Sequence, residues 1–318
     1  MKIFVAGGTG VLGRALIPLL VQAGHQVRTT ARGSEKMNLA SSLGAQPAQV
    51  NLFDPPAVRK AIGGADAVIR ITTKFGSMAK LRDPRTWQDT IRLRTEGARI
   101  LVEAATAEGV QAYLHESVSW VYADGGRAWL SENSPIDDGG VSIMRATIEG
   151  ERIAQRFSLS GGRGIVLRFG GFYGPDAPST LESVNMARRR LFFRFGPARN
   201  YFSSVYIPDA ASAAAALLNA PAGIYNVVDD DPVTFAEYVE TLAKAVGAPR
   251  PRHLPKFLGR LAFGEMWKYL SRSQRVSNGK LKHVCGWEPE VKNVRQGWAR
   301  IASMLAEDSP QRSSGAAA

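Results

Sequence analysis

Within its first two dozen residues the chain passes from an apolar run, KIFVAG, through GGTGVLG into GRALIPLLVQAG, an amphipathic helical pattern closed by Gly24. Gly7, Gly10 and Gly13 stand at G-x-x-G-x-x-G spacing between the predicted strand and helix. With no side chains in the way, an anion can reach the helix N-terminus, where free N–H groups and a partial positive charge attract it. Strand, glycine turn and helix in that order open a parallel sheet that binds a nucleotide pyrophosphate at its edge.

The alternation continues. QVRTTAR, AQVNL, DAVIRIT, AYLHES and GIVLRFG read as strands two to six, and AVRKAIGGA, residues 87–109 and residues 142–157 read as helices. This predicts an α/β fold of the Rossmann type, a doubly wound parallel sheet with helices on both faces. Pro175 and Pro178 mark a departure from the sheet, beyond which the periodicity is less regular. An alanine-rich helix, the strand GIYNVVD and a helix around TFAEYVETLAKAVG follow, then the pairs Gly286-Trp287 and Gly297-Trp298. The small, polar residues 306–318 predict a disordered tail.

Several function classes fall away on composition. A 45% hydrophobic, 21% charged chain of 318 residues reads as a globular protein with a packed core. Its apolar N-terminus is cut by glycines too early for a secretory or membrane-spanning segment, so a cytoplasmic protein without membrane attachment is expected. Cys285 has no partner for an intramolecular disulfide, and His25, His115, His253 and His283 lack metal-ligand spacing, so no metal is expected. The formal charge of +12 is scattered, with one denser stretch from Arg188 to Arg199, either a solvated helix face or an anion-binding wall. No recognition helix or zinc pattern accompanies it, which argues against nucleic acid.

The end of strand two selects between nicotinamide cofactors, because an acid there binds the ribose 2′-hydroxyl and an arginine accommodates the 2′-phosphate. VRTTARGSEK has no acid before Glu35 and offers Arg32, with Arg28 and Lys36 nearby, so NADP(H) is expected over NAD(H).

These motifs, together with ADAVIRIT, EGARILVEAATAEGVQAYLHESVSWVY, LRFGGFYGP, YIPDAASA and CGWEP, resemble the extended short-chain dehydrogenase/reductase family, the NAD(P)-dependent epimerase/dehydratase group, over residues 1–305. The resemblance implies a Rossmann domain from residues 1–178 and 206–231, interleaved with a smaller C-terminal substrate domain from residues 179–205 and 232–305. It also implies a homodimer through the helices at 87–109 and 142–157, and a small-molecule substrate. Carried over by motif, Gly7, Gly10, Val11, Leu12 and Gly13 would hold the phosphates, Asn51 and Leu52 the adenine, Ile71 and Thr72 the nicotinamide ribose side, and Phe169, Gly170 and Phe172 the nicotinamide.

The catalytic positions depart from the pattern. The family serine falls on Val118, flanked by Ser117 and Ser119, and with Glu151 as reference the tyrosine and lysine of Y-x-x-x-K fall on Ile143 and Thr147. No Y-x-x-x-K occurs anywhere in the chain. In that chemistry the tyrosine is the acid/base, its phenol pKa lowered by the lysine, which also holds the nicotinamide ribose.

Three uses of the site stay open. One is an NADP(H)-dependent oxidoreductase acting on a small organic carbonyl or alcohol, its proton coming from Tyr122, Tyr173, Glu116, His115 or water, with Ser117 and Ser119 as polar partners. A second is non-redox chemistry, cyclisation or isomerisation, on the same fold. The third is an NADP-binding sensor or scaffold without turnover.

Overall fold

Branched apolar residues that repeat without a polar face call for a strand buried on both sides, and the strands here are covered by helices above and below. The computed structural model describes residues 1–73, 85–194 and 200–314. Strands β1 (Lys2–Ala6), β2 (Gln26–Thr30), β3 (Gln46–Ala48), β4 (Ala67–Arg70), β5 (Ala112–Val118), β6 (Arg163–Phe169) and β7 (Gly223–Val227) form one sheet. Their order is β7-β6-β5-β4-β1-β2-β3, with every pairing parallel. The order reverses between β1 and β4, so a crevice opens at the carboxyl ends of those two strands. The third strand lies earlier than AQVNL: Gln46 to Ala48 pair with Arg28 to Thr30, while Val50 and Leu52 turn into the core.

Helices α1 (Val11–Gln22), α2 (Ser34–Ser42), α3 (Pro55–Ile62), α4 (Arg85–Arg94), α5 (Glu96–Ala107) and α6 (Ser142–Phe157) alternate with the strands. After β6 come α7 (Pro178–Arg188), α8 (Ile207–Ala216), α9 (Phe235–Ala245), α10 (Lys256–Phe263), α11 (Trp267–Leu270), α12 (Gly279–Cys285) and α13 (Val294–Ser314). Leu12, Leu16 and Ile17 of α1 pack with Ala210 and Ala214 of α8 on one sheet face. On the other face Val58, Ile62, Ile100, Leu101, Ala154 and Phe157 from α3, α5 and α6 form a second core.

The helix expected over residues 87–109 is two helices. Thr95 stands between them with a distorted backbone at φ −107°, ψ −78°, and its hydroxyl donates to Ile91 O at 2.8 Å. The C-terminal region is tied back to the sheet through α8. Asp209 accepts the N–H groups of Glu290 and Val291 at 2.9 Å each, and Trp287 Nε1 donates to Ser212 Oγ at 2.9 Å. Helix α13 continues to Ser314, into the segment expected as a tail from residue 306. A helix already anchored by buried Trp298 and Ile301 adds further turns at little cost per residue. No helix among the described residues is long and apolar enough to cross a membrane.

Candidate active site

The glycine turn is assembled from both sides. Thr29 and Thr30 at the end of β2 accept the N–H groups of Gly8 and Gly7 at 3.1 and 2.9 Å, and Thr29 passes its own proton to Val5 O. Gly7 has φ +101°, and a Cβ there would lie 2.6 Å from Ile71 O, so the turn crosses the end of β4 backbone to backbone. A Cβ on Gly13 would overlap the backbone of Gly8. Gly10 caps α1 without a side-chain hydrogen bond, and the N–H groups of Val11, Leu12 and Gly13 have no acceptor within the helix. An uncapped helix N-terminus behind a glycine turn fits a pyrophosphate.

Around it stand the other predicted contacts. Arg32 is exposed just beyond β2, as are Glu35 and Lys36. Arg28 points elsewhere, donating to Gln46 Oε1 at 3.3 Å and Ala61 O at 2.8 Å, which takes it out of the predicted phosphate cluster. Asn51 is exposed, its Oδ1 accepting the Phe53 N–H at 3.2 Å, and Leu52 is buried beneath it. Ile71 is buried, and the Thr72 hydroxyl is buried without a partner among the described residues. Phe169, expected to line the nicotinamide, is 1% exposed within the core. Its ring meets Phe172 edge to face at 5.1 Å, and Phe172 is half-buried. Gly170 lies against the backbone of Ser203 and Ser204, closer than a Cβ would permit. A cleft of about 930 Å³ runs from Val11 and Arg14 past Asp176 to exposed Arg188; Arg199 lies outside the described residues.

At the reacting end, Ile143 and Thr147 are buried on α6. Ser117 is committed elsewhere: it donates to Glu151 Oε1 at 2.5 Å, and Glu151 also receives Arg168 at 2.6 and 2.8 Å in a fully buried ion pair. Tyr122 is likewise withdrawn, its hydroxyl donating to Asn226 Oδ1 at 2.7 Å, with burial pushing its pKa up to about 12. Both hydroxyls, nominated as catalytic groups, are thus engaged by buried core partners. Ser119 is buried with its hydroxyl unpartnered among the described residues, and Tyr173 sits in the C-terminal core. Burial, together with Arg70 and Arg94, holds the pKa of His115 well below the ordinary imidazole value, so at neutral pH it carries no spare proton charge. Glu116, 6% exposed, accepts from Thr73 Oγ1 at 2.8 Å.

The sequence reading missed a set of buried arginines. Arg94 reaches from α4 to donate through Nη1 to Thr147 Oγ1, with Nη2 3.5 Å from Thr73 Oγ1. Arg70 donates to the carbonyls of Leu93, Glu116 and Thr72 at 3.3, 3.4 and 2.9 Å. The available signal was an arginine where the pattern asks for an apolar residue: Arg70 within AVIRI, Arg168 within IVLRF, and Arg94 on the Trp87, Thr90 stripe.

Comparisons agree with this geometry. Residues 3–227 match the profile of the NAD dependent epimerase/dehydratase family. A Streptomyces protein named 3-diazoavenalumate denitrifying reductase is 31% identical over 312 residues, 94% of this chain and all of that one. The ceramide reductase of Caulobacter vibrioides is 25% identical over 302 residues, 92% of this chain and 87% of its own. Human epimerase family protein SDR39U1, solved with NADPH, superposes with a TM-score of 0.77 at 21% identity, covering 95% of this chain and 99% of its own. With the glycine cradle, the strand order and this match over most of its length, the chain belongs to the NAD dependent epimerase/dehydratase family.

Proposed function

We propose that the protein is an NADP(H)-dependent reductase that passes hydride to a small, strongly electrophilic organic acceptor without a tyrosine–lysine proton relay. One observation carries this reading. The glycine turn leaves the N-terminus of α1 open to a pyrophosphate, whereas the two relay positions hold buried Ile143 and Thr147, and Ser117 and Tyr122 are spent on core partners. Arg32, exposed where a 2′-phosphate would lie and preceded by no acid on β2, supports NADP(H).

NADPH, when bound, supplies a hydride. The protein's own groups would orient it: the first turn of α1 would take the pyrophosphate, with Ile71 and Thr72 toward the ribose side and Phe172 toward the nicotinamide. Reduction of a carbonyl then needs a proton for the new alkoxide. An aryl diazonium does not, because the carbon gains the hydride as its C–N bond breaks and N2 leaves with that bond's electron pair. The Streptomyces relative, named for denitrifying a diazo compound, makes this acceptor class the favoured one.

The test gives purified protein NADPH or NADH with two acceptor sets, ortho-hydroxyaryl diazonium salts and a panel of aldehydes and ketones. The expected outcome is NADPH oxidation and N2 release well above the uncatalysed rate, with deuterium from labelled NADPH on the ring carbon. Carbonyls should lag by about 10²–10⁴-fold, the contribution of a lost general acid. Efficient carbonyl turnover would place a working proton donor in the site and defeat the reading, as would NADPH binding with no acceptor consumed.

A further inference from the structure

The position that carries the family's lysine is occupied by Thr147, and its hydroxyl receives a guanidinium from a different helix. Arg94 ends α4, and α6 passes it so closely that a Cβ on Gly150 would lie 2.8 Å from Arg94 O and 2.7 Å from His115 Nε2. That contact lets the arginine side chain cross to α6. Thr147 is fixed to receive it, because its own proton goes to Ile143 O at 2.7 Å. On its other side Arg94 meets Thr73, which donates to Glu116. Arg94 is 2% exposed, its Nε has no hydrogen-bond partner among the described residues, and Glu116 is the acid that acts on it most, ahead of Glu151. A buried cation that the described residues give no bidentate carboxylate is expensive, which points to a further partner.

We propose that Arg94 supplies from α4 the cation that the family's lysine supplies from α6, and that through Thr73 and Glu116 it positions the nicotinamide end of NADP(H). It is a positioning residue. Guanidinium holds its protons across the working pH range, so the substitution keeps the charge and discards the relay. This inference rests on the NADP(H) reading above.

Two ligands separate the ends of the site: NADPH, and adenosine 2′,5′-bisphosphate, which carries only the adenine half. Arg94→Met should weaken NADPH binding by about 10- to 100-fold, the worth of the charge-assisted hydrogen bonds through which it holds Thr73 and Glu116 in place, while leaving the bisphosphate within about twofold. Arg94→Lys should fall between, and Arg94→Met with Thr147→Lys should regain part of the loss by returning the cation to α6. Calorimetry reads all of these without turnover. Equal weakening of both ligands, no weakening of NADPH, or no recovery in the double variant would each overturn the proposal. If the unaltered protein binds neither ligand, the NADP(H) reading itself fails.

Discussion

The Tyr122 ring is covered by the Arg168 guanidinium at 4.8 Å from its centroid, and its hydroxyl is spent on Asn226. A phenol so placed stabilises the packing between β5, β6 and β7 and has no free path for a proton. Tyr122→Phe should therefore cost about 1–3 kcal/mol of folding stability, the penalty for leaving the buried Asn226 oxygen without its donor. NADPH turnover per folded molecule should not change. Urea unfolding and steady-state rates on the same preparation check both halves, and a rate loss beyond tenfold with stability intact would return Tyr122 to the chemistry. Sequence position alone could not decide this, because strand alternation tells which face a residue takes, whereas Asn226 lies over a hundred positions further along the chain.

At the scale of elements, the turn into α1 distinguishes glycines that fold from glycines that bind. Gly13 touches Gly8 backbone to backbone, but a Cβ on Gly10 would meet only Gly7 O, at 3.2 Å. Gly10→Ala should fold with near-native stability and lose most of its NADPH affinity, because the methyl group stands where phosphate oxygens approach the α1 N-terminus. Gly13→Ala should lower stability by about 1–3 kcal/mol, the usual cost of overpacking, as well as affinity. Thermal unfolding with and without NADPH separates the two, and equal stability losses would show that Gly10 is structural. The turn, the strands and most helices were legible because their periods are strong. Helix α2 was missed because only Ala40 of its residues is buried, so it shows little amphipathic stripe. The break at Thr95 was invisible because the apolar stripe runs on from α4 into α5 across it. Arg94 sits on that stripe, where periodicity marks a core position and says nothing of a charge brought to Thr147 by packing.

At the scale of the whole molecule, the sheet and the C-terminal region meet at a buried acid. Asp229 follows β7, is 2% exposed, and accepts Ser204 Oγ at 2.9 Å through Oδ2, while Oδ1 has no partner among the described residues. Its neighbours Asp230 and Asp231 are engaged by Lys282 and Arg295, and Tyr173 and Tyr238 face it from the C-terminal core. Burial, with the like charges of Asp231, Asp230 and Asp209, raises its pKa well above the ordinary carboxylate value despite the Ser204 bond. An acid whose folded pKa lies above its unfolded value of about 3.9 favours the fold when protonated. That contribution is fully present below about pH 4 and is lost as pH rises through the folded pKa. Asp229→Asn keeps an oxygen for Ser204 and removes the charge. Its stability should exceed that of the native protein near neutral pH, and the difference should shrink as pH falls toward about 4, where the native acid is protonated in both states. Urea midpoints measured for both proteins across that range give the comparison directly. Because surface carboxylates such as Asp138 titrate alike in the two proteins, their effects cancel in the difference, and two parallel curves would mean that Asp229 is not the group whose ionisation strains the junction.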